Sequence, residues 1–308
     1  MFNFLKMLFS PIIAILDFIT KYFKTIVFLT IMYFIVVPSD ENIVDGNIHA
    51  NLQKIELTGP IMDVSKVLED IQKAKEDKNI KGVLFVVDSP GGSVAPSVEL
   101  AYAIKELREV KPVIAYASGV IASGSYYASI WANQIIANPG SMVGSIGVIM
   151  QGVNTEELMK KIGVSTQTVK AGKYKESGTP TRKWFDYEEK QLQSVIDDTY
   201  NMFISDVASA RNLDVKNHTL YADAKIFTSK QAKNVGLVDE VATLSYAQDS
   251  LIKLAKVEKP VWMKEDKFEK FMNKLVSEAI SNISMNLLSG LKAYWFILNL
   301  KEFKRWSF

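Results

Sequence analysis

Short apolar runs and helical patterns alternate along the chain from residue 51 onward. A polar–apolar alternation predicts a strand at 51–59, and continuous apolar runs at 82–88 and 112–117 are typical of strands buried on both faces. Helical spacing of apolar residues predicts helices over 64–75, 98–107, 122–132 and 187–210. Shorter strands are predicted at 134–137, 144–150, 165–169 and 237–241, and shorter helices at 155–161 and 229–234. This alternation predicts an α/β fold with a parallel sheet.

The two ends of the chain have a different character. The uncharged run 25–37 is about 20 Å long as a helix, so it predicts a single-pass membrane anchor with help from flanking residues. A cleaved signal peptide and a buried soluble helix are the alternatives. Lys6, Lys21 and Lys24 precede the run, which predicts a cytoplasmic N-terminus in the inner (cytoplasmic) membrane and an exported bulk.

The C-terminal tail carries an apolar stripe with aromatic residues and a basic end. This pattern suits a lipid bilayer surface, and it equally suits packing on the chain's own domain or on a sister subunit. We therefore predict three parts: an amphipathic segment and anchor at 1–38, an exported catalytic domain at 39–262, and an amphipathic helical tail at 263–308.

Composition narrows the possible chemistry. The chain has 36 basic and 34 acidic residues, a net charge of +2 that gives no reason to expect nucleic-acid binding. It has no cysteine, which excludes a thiol nucleophile, a disulfide and a cysteine-ligated zinc site. We predict no metal and no cofactor.

A serine is the best candidate nucleophile. Ser123 lies among small residues in Gly119-Val-Ile-Ala-Ser-Gly-Ser-Tyr-Tyr127, and a serine needs a neighbouring base to become nucleophilic. Neither His49 nor His218 is near it in sequence, so a lysine is the best remaining base. The alternative for Ser123 is a helix N-cap. Ser125 competes as nucleophile, but on a helix it would face another side.

The candidate bases are Lys170, Lys173 and Lys175, and spacing alone does not choose among them. A lysine is ordinarily a solvated surface residue, and it acts as a base at neutral pH only when burial lowers its pKa. The base therefore stays open at this point.

Glycine amides are suited to stabilise the developing oxyanion. Asp88-Ser-Pro-Gly-Gly92 follows a buried strand and opens a helix, where backbone N–H groups approach a ligand closely. An ordinary turn is the alternative. We predict an oxyanion hole formed by the amides of Gly91, Gly92 and Gly124.

These motifs together resemble the signal peptide peptidase A family, also called protease IV. The resemblance covers about 52–241 and includes Asp88-Ser-Pro-Gly-Gly-Ser93, Ala122-Ser-Gly-Ser-Tyr-Tyr127, Asn138-Pro-Gly140, Gly144-Ser-Ile-Gly-Val148, Gly172-Lys-Tyr-Lys175, Ala222-Asp-Ala-Lys-Ile-Phe-Thr228 and Gly236-Leu-Val-Asp239. It implies Ser123 as nucleophile, Lys175 as base and Ser145 as the residue that orients the lysine. Ser125 and Ala224 stand where the family has glycine, and Glu176 where an aspartate is usual.

The resemblance also implies a fold and an assembly. The fold would be a ββα-superhelix similar to caseinolytic protease (ClpP) and crotonase, in a homo-oligomeric ring such as an octamer, with the active site shared between subunits. The implied activity is that of a membrane-anchored serine endopeptidase that degrades cleaved signal peptides and other apolar peptides, with a preference for small and aliphatic residues.

Three alternatives stay open. One is a related membrane Ser-Lys protease that cuts a specific membrane protein. Another is a catalytically silent ring-forming scaffold of the same fold. The third is a crotonase-type acyl-thioester enzyme, which would not need the serine–lysine pair.

Overall fold

The computed structural model describes residues 17–18, 20–30, 32–33, 43–44 and 48–264. The chain divides into two compact units, residues 1–47 with 264–308, and residues 48–263. In the first unit, residues 20–30 are helical with exposed side chains, and β1 is Ile43–Val44. Within the described ranges, no helix combines the length and apolarity needed to cross a membrane. Part of the predicted anchor and the predicted tail helix lie outside the described residues.

The second unit is built on a seven-stranded sheet. Its strands, after the short β2 (Ile48–His49), are β3 (Leu52–Thr58), β4 (Gly82–Ser89), β5 (Val113–Ala122), β6 (Gln134–Ala137), β7 (Met142–Gly144), β8 (Ile226–Thr228) and β9 (Glu240–Val241). The order β3-β4-β5-β6-β9 is parallel throughout. β7 pairs in parallel with the end of β5, and β8 pairs antiparallel with β7. The predicted mixed α/β fold is confirmed; the superhelix stays a prediction.

Helices cover the sheet. They are α1 (Ser65–Glu76), α2 (Val94–Val110), α3 (Gly124–Ser129), α4 (Glu156–Ile162), α5 (Asp186–Arg211), a 3₁₀ helix (Val215–Leu220), α6 (Ser229–Asn234) and α7 (Leu244–Leu254). In β4, Val83, Phe85 and Val87 join the core cluster that contains α1, α2 and α3. Leu84 and Val86 join a second cluster with α7. Because successive strand residues face opposite sides, the continuous apolar run follows from helices on both faces.

Four predicted elements differ in the structure. The strand predicted at 237–241 is reduced to β9, Glu240–Val241. The strand predicted at 165–169 is absent, and that segment is irregular and exposed, with no neighbouring strand to pair its backbone. The strand predicted at 144–150 is wrong beyond Gly144, because β7 ends at Gly144, the last residue that pairs with β5 and β8. The helix predicted at 122–132 is shortened to α3, since β5 continues to Ala122.

Candidate active site

Ser123 lies at a strained turn between a strand and a helix. It follows β5 directly, caps α3, and has φ 53° and ψ −125°. Such a backbone conformation is rare for a residue other than glycine and is typical of functional sites. The Ser123 N–H donates to the carbonyl of Gly144 at 2.8 Å, which fixes the turn against the end of β7. The side chain is half-buried at the surface of the core.

A bulge in β5 places this turn. Val87 of β4 faces Ala117, but Ser89 faces Ile121, so β5 carries extra residues between the two pairs. The Asp88 carboxylate fills the bulge by accepting from the Val120 N–H at 2.8 Å. A Cβ at Gly119 would lie 2.4 Å from that carboxylate oxygen. The ends of β4 and β5 therefore lie side by side, which brings Ser123 next to the glycine turn as predicted.

Two amides are open to an oxyanion. The Gly91 N–H donates to Ser89 Oγ at 3.2 Å, so the predicted role of Gly91 as a donor does not fit this geometry. The N–H groups of Gly92 and Gly124 have no hydrogen-bond partner among the described residues. The Gly92 nitrogen lies 3.4 Å from the position that a Cβ on Gly124 would take, so the two amides are close neighbours.

Gly91 has another function in the turn. Its φ of +90° is unfavourable for other residues, and a Cβ there would lie 2.6 Å from the Gly124 nitrogen and 2.8 Å from the Ser123 Cβ. Only glycine lets the two turns approach this closely. Gly91 thus shapes the site without donating to it.

A pocket with an empty volume of about 510 Å³ opens beside Ser123. Its other lining residues are mostly apolar: Gly92, Val94, Ser97, Val98, Gly124, Tyr127, Gly147, Val148, Ile149, Thr199, Met202 and Phe203. The Tyr127 and Phe203 rings pack edge to face with centroids 4.8 Å apart. Burial, and the hydrogen bond that the Tyr127 hydroxyl donates to Asp206, raise the pKa of Tyr127, so this phenol stays neutral. The pocket suits an uncharged side chain.

Ser145 lies one residue after the carbonyl that holds Ser123. It has φ 51° and is half-buried, and its N–H donates to the Lys225 carbonyl at 2.7 Å. Its hydroxyl has no hydrogen-bond partner within residues 48–264. The Ser145 hydroxyl can therefore form a hydrogen bond with a group that does not contact it within these residues.

The three candidate lysines have different surroundings. Lys170 Nζ pairs with the Glu176 carboxylate at 2.8 Å, and this hydrogen bond raises the pKa of Lys170, which disfavours it as a base. Lys173 Nζ lies 4.5 Å from the centroid of the Tyr187 ring. Lys175 is exposed, with no ion pair or ring contact among the described residues, and it is not among the residues that line the Ser123 pocket. One chain therefore does not bring Lys175 and Ser123 into one cavity.

A charge network holds the segment that carries Lys175. Arg182 donates to both Glu188 carboxylate oxygens at 2.8 and 2.9 Å and to Glu176 at 3.2 Å. The Glu188 side chain is fully buried. Arg182, together with the Phe185 N–H at 2.9 Å, holds the pKa of Glu188 down at about 2. Glu176, the neighbour of Lys175, is thus fixed to the first turn of α5.

Sequence reasoning missed this network. A glutamate at the third position of a helix is the usual partner in a capping box, so Glu188 three residues after Phe185 was the available signal. Its pairing with Arg182 depends on how the loop folds back, which no local pattern shows. No cluster of metal-ligating side chains occurs in the described part of the chain.

A serine at a strained turn, with free glycine amides and an apolar pocket beside it, defines the class as a serine-type peptidase. A family model described as Peptidase family S49 matches residues 105–258, half of the chain. The chain belongs to peptidase family S49.

Individual relatives agree with this assignment. The chain is 46% identical over 195 residues to "Putative protease MJ0651" of Methanocaldococcus jannaschii, covering 63% of this chain and 61% of that protein. It is 33% identical over 238 residues to "Putative signal peptide peptidase SppA" of Enterococcus faecium, covering 72% and 67%. The match to the first relative thus spans less than two thirds of that protein's length.

Two solved structures can be superposed on this chain over most of their own length, at low sequence identity. The 1510-N membrane-bound stomatin-specific protease is 13% identical, with a TM-score of 0.45 over 70% of this chain and 94% of that one. A ClpP1 mutant from Listeria monocytogenes is 14% identical, with a TM-score of 0.43 over 63% and 93%. Both scores lie below 0.5.

Proposed function

We propose that the protein is a membrane-anchored serine endopeptidase that uses Ser123 and Lys175 and degrades cleaved signal peptides. The observation that carries the proposal is the turn at Ser123, where a half-buried hydroxyl lies beside the free amides of Gly92 and Gly124. A serine at positive φ is in a strained backbone conformation, and such strain is typical of functional sites rather than of ordinary core packing.

The proposed chemistry joins the serine turn to Lys175, which does not line the Ser123 pocket within one chain. Lys175 accepts the proton of the Ser123 hydroxyl as the oxygen attacks the scissile carbonyl. The Gly92 and Gly124 N–H groups stabilise the negative charge that develops on the carbonyl oxygen. Lys175 then returns the proton to the leaving amine, and water hydrolyses the acyl-enzyme. The free hydroxyl of Ser145, one residue past the carbonyl that anchors Ser123, would orient the lysine.

The lysine would come from a neighbouring copy in a homo-oligomeric ring such as an octamer. Residues 161–175 are all exposed in the single chain, and α4 has no buried residue. Apolar side chains along this stretch face solvent, among them Ile162 (63% exposed), Val164 (51%) and the fully exposed Val169. Such a surface favours burial against another subunit.

The substrate class follows from the pocket. Its walls are apolar, and the hydroxyl of Tyr127 is already bonded to Asp206. A peptide with small or aliphatic residues gains from burial here, whereas a charged side chain would lose its hydration without a partner. Signal peptides are rich in such apolar residues, which supports them as substrates.

The anchor rests on the sequence and on one structural observation. In the helical residues 20–30, large apolar side chains such as Phe23 (60% exposed), Phe28 and Leu29 face outward. A bilayer would cover them. Alkaline carbonate extraction of membranes tests this proposal: the protein is expected to stay in the pellet, and release into the supernatant would contradict anchoring.

A cleavage assay on a synthetic signal peptide tests the function. Ser123→Ala and Lys175→Ala are expected to reduce kcat to background, while Lys173→Ala, on the same segment, retains activity. Labelling by a serine-reactive phosphonate should occur in the wild type and be lost in Ser123→Ala. An unlabelled wild type, or an active Ser123→Ala variant, would contradict the proposal and favour a scaffold or another chemistry.

A further inference from the structure

Ser125, two residues after the nucleophile, links both halves of the oxyanion site. It is fully buried. Its Oγ accepts a hydrogen bond from the Ala122 N–H at 2.9 Å. The same hydroxyl donates towards two carbonyl oxygens, that of Ser89 at 2.7 Å and that of Ala122 at 2.9 Å. The hydroxyl thus joins the last residue of β5, just before Ser123, to the last residue of β4, just before the glycine turn.

The link continues through Ser89. Ser89 is also fully buried, and its own hydroxyl accepts from the Gly91 N–H at 3.2 Å. A series of hydrogen bonds therefore links Ala122, Ser125, Ser89 and Gly91. The Gly91 peptide precedes the Gly92 N–H, and Ala122 and Ser125 flank the Ser123–Gly124 pair. These hydrogen bonds therefore connect the backbone next to the Gly92 N–H with the backbone on either side of the Gly124 N–H.

The same contacts exclude Ser125 as a nucleophile. Its single proton is used in donation to carbonyls, its oxygen already accepts from Ala122, and no part of the residue is exposed.

We propose that Ser125 is a positioning residue that fixes the Gly92 and Gly124 amides relative to Ser123, and so sets the rate of acylation. The inference rests on the proposed function of Ser123. The hydroxyl holds the two backbone turns in place and does not touch the substrate. Its loss should therefore lower kcat and leave substrate binding nearly unchanged, because a displaced oxyanion donor acts mainly on the transition state.

Ser129 provides a matched control. It is fully buried on the same helix, α3, and its hydroxyl donates to the Ser125 carbonyl at 2.9 Å, one turn further from the nucleophile. Ser125→Ala and Ser129→Ala each remove one buried hydroxyl from the same helix. A merely structural contribution should therefore lower the melting temperature in both variants, whereas only Ser125→Ala should change the chemistry.

The experiment measures kcat and KM on a signal peptide, and the rate of phosphonate labelling, for the wild-type oligomer and both variants. We expect Ser125→Ala to lower kcat and the labelling rate by roughly 10-fold to 100-fold, with KM within about 3-fold. Ser129→Ala is expected to stay within about 2-fold in kcat.

The outcomes separate the two proposals. If the wild type is active and labelled at Ser123 but Ser125→Ala matches Ser129→Ala in kcat, the positioning role is wrong and the proposed function stands. A change in KM alone would also contradict the positioning role. If the wild type is neither active nor labelled, the proposed function itself fails.

Discussion

The segment that carries Ser123 and the segment that carries Lys175 are built in opposite ways. Residues 124–129 are all buried, and the Ser123 backbone is held by two hydrogen bonds, from its N–H to the Gly144 carbonyl at the end of β7 and from the Tyr127 N–H to its own carbonyl. Residues 161–175 are all exposed, and the turn with Lys175 is held by ion pairs of Glu176 with Lys170 and Arg182. The Ser123 segment is thus positioned within one chain, whereas the Lys175 side chain faces solvent.

The Ser123 segment and the Lys175 segment are therefore positioned by different kinds of interaction. Apolar packing holds the serine turn in one position, because protein interiors are close-packed and leave little room for movement. Surface ion pairs contribute little in isolation, so a network with a buried member such as Glu188 is needed to order an exposed loop. A second subunit would complete the ordering.

The largest effect is expected from filling the space beside the nucleophile. A Cβ at Gly124 would lie 2.1 Å from Ser97 Oγ, 3.0 Å from Ser97 Cβ and 3.4 Å from the Gly92 nitrogen, so Gly124→Ala forces a shift of the structure directly beside both oxyanion donors. We expect kcat to fall by about 100-fold or more. Gly140→Ala is the control, because its Cβ meets only Asn138 Oδ1 at an ordinary 3.5 Å. Steady-state kinetics of both variants check the prediction, and full activity in Gly124→Ala would show that the serine half is not preorganised.

The next effect concerns the exposed apolar surface. Val169→Asp places a charge on a fully exposed residue of the lysine-bearing region, and Val110→Asp does so on an exposed residue at the end of α2. If the region docks on a second subunit, Val169→Asp should dissociate the oligomer and lower activity about 10-fold or more, because a charge would be buried without a partner. Size-exclusion chromatography with an activity assay on each peak measures both. An unchanged oligomer in Val169→Asp, or equal losses in both variants, would contradict this docking surface.

A smaller effect is expected from loosening the charge network. Arg182→Met removes the pairing of both Glu176 and Glu188 while keeping an unbranched side chain. We expect kcat to fall by about 10-fold through misplacement of Lys175. The melting temperature should fall as well, because Arg182→Met leaves the fully buried Glu188 carboxylate without its cationic partner. Lys183→Met, the exposed neighbour, is the control, and equal kcat in both variants would show that the network does not position the lysine.

The smallest effect is a pH dependence of stability. Glu188 has a pKa of about 2 in the folded chain, below its ordinary value of 4.5. A lowered pKa adds stability above the unfolded pKa, and that stability is lost as pH falls towards 2. The difference in unfolding free energy between the wild type and Glu188→Gln should be constant above about pH 5 and shrink between pH 4.5 and 2. Urea unfolding at several pH values measures it, and a difference that does not change with pH would rule out this contribution.

The sequence predicted the buried half of the site better than the exposed half. Ser123 and the glycine turn could be placed because continuous apolar runs mark buried parallel strands, whose carboxyl ends meet at one edge of the sheet. The roles of Gly91 and Ser125 could not be predicted, because they depend on hydrogen bonds between the two strand ends.

The exposed half has no such regularity. Thr166, Thr168 and Val169 favour a strand by propensity, but none of the strands among the described residues pairs with them. The contacts of Arg182 with Glu188 and Glu176 arise from a loop that returns to the start of a helix, and neither spacing nor periodicity records that return.

Mixing inactive variants tests most directly whether the two halves of the site come from different chains. Ser123→Ala and Lys175→Ala proteins are dissociated together, reassembled at equal amounts and assayed on a signal peptide. If the serine of one chain works with the lysine of its neighbour, about one quarter of the sites in a random ring regain both groups, and activity should recover to about that fraction of the wild type. Activity that stays at background, while reassembled wild-type protein is fully active, would contradict the shared site.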